Sequence, residues 1–228
     1  EKEVAARTYA DTAHIYLAPG EWDIEVKPLE QSDVKATTLT NVLSGDPENS
    51  HRTISFDAGK LKVVTENNGE GWDAVVNIYE AGTKTKAAGG RTYGKDDVYD
   101  LNPGKYDIEL AAMKIEGNDI KYKESNVEVK ANEVIEVKHN FKSGIALIGA
   151  SSSSGLVDCV VKIQDVKSKT TVASGRTYTQ KSNNPDTYIL NPGKYEVKLT
   201  ALGDHKGKEE TFTMEVQEGK TIEKMITF

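Results

Sequence analysis

The sequence has one cysteine and no long apolar run, and each shortage excludes a class of protein. One cysteine, Cys159, stands among 228 residues, so this chain forms no disulfide within itself. No apolar stretch approaches the ~18 residues of a membrane-spanning helix. The opening segment EKEVAARTYA is too charged to be a secretory signal. Membrane insertion is therefore not expected.

A surplus of basic residues is also missing. Lys and Arg number 29 against 36 Asp and Glu, which gives a formal net charge of −7. Because phosphate contacts require clustered basic side chains, nucleic acid is not an expected partner. Charges of both signs are well mixed along the chain, which is typical of a folded domain rather than a disordered one.

Catalytic motifs are missing as well. The sequence has no His-x-x-x-His, Cys-x-x-Cys or Gly-x-Ser-x-Gly pattern. The string GGRTYGKD lacks the Lys-Ser/Thr pair of a phosphate-binding loop. Catalysis needs convergent groups at workable separations, and the four histidines share no spacing with Cys or acidic residues. We predict that the protein is not an enzyme and has no catalytic residues and no cofactor.

What the sequence does contain is a repeat. LNPGKY occurs at 101–106 and again at 190–195, and LAPGEW at 17–22 is a third version. Each phrase follows an Arg-Thr-Tyr string. From Gly59 to Tyr93, a constant shift of 85 residues maps one part of the chain onto a later part without a gap, so that Gly59 falls on Gly144. We predict a partial β-sandwich at 1–58 (unit one) and complete β-sandwiches at 59–142 (unit two) and 143–228 (unit three).

Each unit has the pattern of β-structure. Segments such as KYDIEL and KYEVKL alternate polar and apolar residues, and clusters such as ENNGEG and SSSSG separate them. About seven short strands in about 85 residues predict a small antiparallel sandwich of immunoglobulin or transthyretin type. The predicted fold class is all-β, with tandem antiparallel β-sandwich domains of which the first is incomplete.

The two repeated phrases predict structural roles. In Pro-Gly the proline presets φ and the glycine supplies a positive φ, which predicts a type II turn. A β-branched residue at Gly104 or Gly193 is then expected to cost about 1–3 kcal/mol through backbone strain. The following aromatic is expected to point inward, and the tyrosine of Arg-Thr-Tyr to cap the core. The arginine is expected to pair with a carboxylate, and Asp73 and Asp158 are the candidates.

These expectations define a structural signature shared by the three units. Its predicted members are Arg7, Tyr9, Pro19, Gly20 and Trp22 in unit one, Arg91, Tyr93, Pro103, Gly104 and Tyr106 in unit two, and Arg176, Tyr178, Pro192, Gly193 and Tyr195 in unit three.

Unit one is shorter than its copies. Glu1 aligns with Thr85, so unit one lacks the counterparts of residues 59–84, which carry the first two strands. We expect the chain to begin in the middle of a domain and to end at a natural boundary. A sandwich without two strands exposes its core and its unpaired edges.

Three interpretations of the short unit remain. The missing strands lie upstream in the same precursor, or a neighbouring copy donates them by strand addition, or unit one is a shortened sheet that packs on unit two. The first two are favoured, so the expected partner is protein. Donation between copies is a heterologous contact that builds a filament when it does not close.

The string GRTYTQKSNNPDTYILNPGKYEVKLTAL, followed by FTMEVQEGKTIEKMITF, resembles the tandem β-sandwich modules that follow von Willebrand factor A domains in bacterial secreted or envelope proteins. The PGKY strand start is also similar to carboxypeptidase-regulatory-like and collagen-adhesin B-type domains of the transthyretin-like class. This resemblance implies a non-catalytic stalk, spacer or adhesion module on the cell surface, in the periplasm or outside the cell of a bacterium. The alternative is an accessory module that binds a carbohydrate or a protein ligand.

The loop between the two phrases is the most variable part of each unit. Its oxygen-bearing side chains are candidate Ca²⁺ ligands, although they lack the spacing of an EF-hand. These candidates are Asp96, Asp97 and Asp100 in unit two and Asn183, Asn184 and Asp186 in unit three. The expected role of these residues is a solvated turn.

Overall fold

The computed structural model describes residues 4–9, 12–29, 33–45 and 51–228. These residues form β-strands, one short 3-10 helix (Gly203–His205) and no α-helix. No helix in this part of the chain is long and apolar enough to cross a membrane. The strands are β1 (Gly20–Val26), β2 (Thr37–Ser44), β3 (Gly59–Asn67), β4 (Glu70–Gly71), β5 (Ala74–Glu80), β6 (Lys86–Arg91), β7 (Asp97–Leu101), β8 (Gly104–Ala112), β9 (Lys121–Val129), β10 (Val134–Phe141), β11 (Gly144–Ser152), β12 (Gly155–Leu156), β13 (Cys159–Asp165), β14 (Thr171–Thr177), β15 (Asp186–Leu190), β16 (Gly193–Ala201), β17 (Glu209–Val216) and β18 (Thr221–Thr227).

Unit two is built from two sheets that enclose one hydrophobic core. The first sheet has the order β6-β5-β8-β9, and in the second β3 lies between β10 on one side and β4 and β7 on the other. Apolar residues alternate along the strands, so Leu61 and Val63 of β3 face Val76 and Ile78 of β5 across the core, all four with no exposed surface. The prediction of an all-β sandwich is confirmed.

Unit three has the same arrangement around a second core. Strand β11 lies between β15 and β18, and the other sheet has the order β14-β13-β16-β17. Cys159 occupies the place of Ala74, and both side chains are completely buried. Because this place holds a small residue in each unit, the single cysteine fills space in the core and its thiol is inaccessible.

The sandwiches are antiparallel as predicted, except that one strand pair in each complete unit runs parallel. The last strand, β10, pairs in parallel with the first strand, β3, and β18 pairs in parallel with β11. The other pairs in the two sandwiches are antiparallel. Strands that are far apart in sequence need no hairpin between them, so the first and last strands are free to pair in parallel.

Unit one contains a β-hairpin that matches one hairpin of unit two. Strand β1 pairs with β2 as β8 pairs with β9, and both pairs contain a bulge at the same place. In the bulge Asn41 has a φ of 56° and Asn126 a φ of 60°. The backbone N–H of each asparagine donates to an aspartate of the facing strand, Asp23 or Asp107, at 3.1 Å. The hairpins are therefore local copies of each other.

The remaining segments of unit one form no strand. This holds for the described residues 4–9, 12–19 and 51–58, although RTISF at 52–56 has the sequence of a closing strand. The prediction of a strand that ends at Phe56 is therefore wrong for this structure. The reason lies in the pairing, because the counterparts of these segments in units two and three bond to strands for which unit one has no counterpart.

The pairing of unit two shows this dependence directly. Strand β6 pairs with β5, whereas β7 and β10 each pair with β3. Only the β8–β9 hairpin keeps a partner when β3 and β5 are left out. Unit one thus has the structure expected of a sandwich without counterparts of β3 and β5.

The units contact one another through the loops that follow β1 and β8. In the first contact Val34 is 2% exposed, and the backbone N–H of Lys35 donates to Asn102 Oδ1 at 2.8 Å. In the second, the N–H of Glu116 donates to the carbonyl of Ile189 at 2.8 Å, and the carbonyl of Glu116 accepts from the N–H of Asn191 at 3.0 Å. Asn102 and Asn191 hold the same place before Pro-Gly, so both contacts use the Pro-Gly corner of the next unit, although through different atoms.

Candidate functional site

The aromatic after Pro-Gly closes a corner in all three units. Tyr106 Oη donates to the carbonyl of Asn102 at 2.7 Å, and Tyr195 Oη donates to the carbonyl of Asn191 at 2.6 Å. Trp22 Nε1 makes the same bond to the carbonyl four residues before it, at 3.0 Å. The phrase therefore fixes the entry into β1, β8 and β16, and its aromatic ring is buried in units two and three, as predicted.

The Pro-Gly glycines do not have the predicted conformation. Gly104 and Gly193 are absent from the residues with positive φ, and Gly20, with a φ of 156°, is close to extended. A Cβ at Gly104 would stand 3.7 Å from the ring of Tyr106, which is ordinary contact. The expected backbone strain at Gly104 and Gly193 is thus wrong, because neither glycine has a positive φ.

The arginine of Arg-Thr-Tyr pairs with an aspartate that precedes the second strand. Arg91 Nε donates to Asp73 Oδ1 at 2.8 Å, and its Nη2 contacts the other carboxylate oxygen. In the same way, Arg176 Nε donates to Asp158 Oδ1 at 2.8 Å and its Nη2 donates to Oδ2 at 2.6 Å. The arginine holds the pKa of each carboxyl below its usual range by hydrogen bonding to the charged form. The predicted pairing is confirmed in units two and three.

The middle threonine is the residue that sequence reasoning missed. Thr177 Oγ1 donates to the carbonyl of Val157 at 3.0 Å and accepts from the N–H of Cys159 at 2.8 Å. Thr92 bonds in the same way to the two residues that flank Asp73. Both threonines are buried, so one hydroxyl satisfies two backbone groups where the chain enters the central strand. The recurrence of Thr in all three strings is the signal that could have revealed it.

The tyrosine of the string does not cap the core, contrary to the prediction. Tyr9, Tyr93 and Tyr178 are 87%, 72% and 44% exposed. Each ring lies instead under the guanidinium of its own arginine, with the Arg Cζ at 5.1, 4.8 and 5.0 Å from the ring centroid. The ring therefore orients the arginine by a cation–π contact, while in units two and three the neighbouring threonine occupies the buried position.

Replacing Thr177 by valine is expected to destabilise unit three by about 1–3 kcal/mol, because the N–H of Cys159 loses its acceptor in a buried place. Chemical denaturation of the protein measures this loss. Thr187→Val is the matched control, since Thr187 is exposed on β15 and its hydroxyl carries no such bridge. Equal effects of the two substitutions would contradict the bridging role.

The two repeated phrases form no common site. Asp73 stands just before β5, which begins by pairing with the end of β8, whereas Tyr106 pairs with Glu80 at the other end of β5. The carboxylate held by Arg91 and the corner closed by Tyr106 therefore lie at opposite ends of the sandwich. The signature residues divide into these two clusters in each complete unit.

The candidate calcium ligands have protein partners. Asp96 pairs with Lys62 and Asp100 with Lys60, at 2.9 and 2.6 Å, and Asp97 Oδ2 accepts from Tyr99 Oη at 2.6 Å. In unit three, Asn184 is buried and its side chain bonds to backbone groups at Ala150, Val157 and Tyr178. Asn183 Oδ1 accepts from Ser182, and Asp186 Oδ1 accepts from the N–H of Thr187. Across the described ranges, no three His, Cys, Asp or Glu side chains are placed to hold a metal ion.

No family model and no curated protein matches the sequence. Solved structures to which this chain is similar over part of its length include the TIE protein of Bacillus anthracis, at 23% identity and a TM-score of 0.34, over 75% of this chain and 34% of that one. This chain thus spans about a third of that protein. The minor pilin GBS52 of Streptococcus agalactiae is 10% identical over 74% of this chain and 94% of its own, with a TM-score of 0.39. The shaft pilin SpaA of Lactobacillus rhamnosus GG is 10% identical over 75% and 98%, with a TM-score of 0.33.

Proposed function

We propose that this protein is a non-catalytic structural and interaction protein of the bacterial cell exterior, a series of stacked β-sandwich units whose first unit is completed by β-strand addition. The observation that carries the proposal is the pairing in unit one. Residues 13–17 and 51–56 have the places of strand β7 and of most of β10 but form no strand, and in unit two both of those strands pair with β3.

An added strand in the place of β3 would bond on both sides. Its antiparallel edge would meet residues 13–17 and its parallel edge residues 52–56, as β3 meets β7 and β10. It would also cover Trp22, Ile24 and Val26, which alternate inward on β1 but are only half-buried. Their counterparts Tyr106, Ile108 and Leu110 are buried. The gain in buried apolar surface supplies the driving force.

The recurring contacts between the units support a stalk or filament role. Two successive units meet through a loop and the Asn of the next Pro-Gly corner, as Lys35 does at Asn102 and Glu116 at Asn191. Use of the same corner in successive joints is what a stack of repeated units requires. A carbohydrate-binding module is expected to present a row of exposed aromatic rings on one sheet. Tyr93 and Tyr178 instead each pack against the arginine of their own string, in separate units, which disfavours that alternative.

The test adds a synthetic peptide of residues 59–80, the first strands of unit two, to the purified protein. Hydrogen exchange should show protection of amides 13–17 and 52–56 only when the peptide is present, and a scrambled peptide should give none. Sedimentation and electron microscopy of the protein alone report whether copies complete one another. A monodisperse monomer in which amides 52–56 are protected without a partner would exclude complementation.

A further inference from the structure

We infer that Arg7, Thr8 and Tyr9 form a docking site for an X-Asp-X tripeptide, located where the partner strand would join the hairpin sheet of unit one. This inference rests on the proposed function. It adds the residues by which unit one recognises its partner strand, together with the chemistry that the partner must carry.

Units two and three show how the docking site binds its tripeptide. In unit two the side chain of Arg91 forks onto the carboxylate of Asp73, and the N–H of Tyr93 donates to Asp73 Oδ1 at 3.2 Å. Thr92 Oγ1 donates to the carbonyl of Trp72 at 3.1 Å and accepts from the N–H of Ala74 at 3.0 Å. Three consecutive residues thus bind one carboxylate and the two backbone groups beside it.

Unit three repeats the arginine and threonine contacts with different flanking residues. Arg176 binds Asp158, and Thr177 bridges the carbonyl of Val157 and the N–H of Cys159. The residues before and after the aspartate change between units, whereas the aspartate, its ion pair with arginine and the threonine bridge do not; the N–H of Tyr178 bonds instead to the carbonyl of Asn183 at 3.3 Å. The contacts to the flanking residues involve backbone atoms only, so the aspartate is the residue that is recognised.

In unit one, Arg7 and Tyr9 have the same cation–π arrangement as their counterparts. The guanidinium of Arg7 lies over the ring of Tyr9 at 5.1 Å, within 0.3 Å of the distance at Arg91. All three side chains are exposed. Among the residues that the structure describes, the arginines that form an ion pair with an aspartate in this way are Arg91, with Asp73, and Arg176, with Asp158. The tyrosine ring therefore orients the arginine independently of an aspartate partner.

The chemistry of the site defines the partner strand. A carboxylate accepts two parallel N–H bonds from the guanidinium and also carries the opposite charge. A neutral amide lacks that charge, so it binds the arginine less strongly. The residue after the aspartate must be small, because Ala74 and Cys159 are completely buried in that place. An alternating apolar strand must follow, as in DAVVNI and DCVVKI. The partner is thus a β-strand that begins Asp-small-Val-Val, from an upstream part of the polypeptide or from another copy.

The test uses the full chain with a second copy of residues 59–84 placed before Glu1. Because Glu1 aligns with Thr85, the graft continues into unit one in register. Three grafts are compared: the unchanged sequence, Asp73→Asn in the grafted copy, and Glu70→Gln in the grafted copy as the control. Glu70 is exposed on β4, and its substitution also removes one negative charge. Hydrogen exchange of amides 4–9 and 52–56 is the readout.

The unchanged graft and the Glu70→Gln graft should protect both segments, whereas Asp73→Asn should raise the opening equilibrium of amides 4–9 about tenfold, the loss expected for a charge-assisted fork. Arg7→Gln should have the same effect, and the two substitutions together should be no worse than either alone. Arg7→Lys keeps the charge but loses the fork, so it should restore only part of the protection.

The outcomes separate the two proposals. If the unchanged graft protects neither segment, unit one is not completed by such strands and the proposed function fails. If the unchanged and Asp73→Asn grafts protect equally, or if the effects of Asp73→Asn and Arg7→Gln add, the docking site is overturned while strand addition stands. Adding the free 59–84 peptide, and sedimentation of the ungrafted chain at rising concentration, distinguish an upstream source from a neighbouring copy.

Discussion

Replacing Gly175 by alanine is expected to destabilise unit three by about 2–3 kcal/mol, because the added methyl group overpacks the core. A Cβ at this position would lie 2.2 Å from Tyr188 Oη and 2.6 Å from Asp186 Oδ2. Tyr188 is 4% exposed and its ring is rigid, so it cannot turn away. Either β14 or β15 must shift, and a lower midpoint of denaturant-induced unfolding measures the cost.

The matched control and a rescue come from the other units. Gly193→Ala adds the same methyl group at ordinary contact distance, 3.4 Å from Tyr195 Oη, and should cost much less. Unit one carries Ala6 and Ile15 at the places of Gly175 and Tyr188. The pair Gly175→Ala with Tyr188→Ile should therefore lose less stability than the sum of the two single changes. Equal effects of Gly175→Ala and Gly193→Ala would contradict the steric account.

Much of the sandwich could be predicted because its signals are local and repeated. Apolar alternation in KYDIEL and KYEVKL identifies the inward residues, and Tyr106 and Tyr195 are buried as that alternation requires. The pairing of Arg91 with Asp73 also follows from the sequence, because both residues recur at the same shift in unit three. A pattern that occurs twice carries information that a single copy lacks.

The missed features depend on direction and on conformation, which such patterns do not encode. Strand periodicity does not say whether β10 runs parallel or antiparallel to β3. A Pro-Gly pair is compatible with several turns, so the φ of Gly104 was not determined by composition. In Arg-Thr-Tyr, the most apolar residue is the natural candidate for burial, yet Thr92 is buried because two backbone groups need its hydroxyl. Backbone groups of a segment that is distant in sequence therefore determine which residue of the string is buried.

Replacing Val63 by proline is expected to destabilise unit two by at least about 3 kcal/mol and to make two of its strands resemble the unpaired segments of unit one. Val63 lies in the central strand β3, opposite Asp97 of β7 and Val137 of β10, and has no exposed surface. Proline removes the N–H of this residue from the ladder, and a smaller ring replaces the buried side chain. Hydrogen exchange should show the loss of protection in both β7 and β10.

The control is Val134→Pro at the first residue of the edge strand β10, where the side chain is 64% exposed and proline is tolerated. This change should leave β7 protected, and unit three serves in both variants as an internal reference. The comparison tests the premise behind strand addition, since it asks whether the outer strands of a sheet depend on the central one. If β10 stayed protected in Val63→Pro, residues 51–58 would need another reason to lack a strand, and unit one would no longer require a partner.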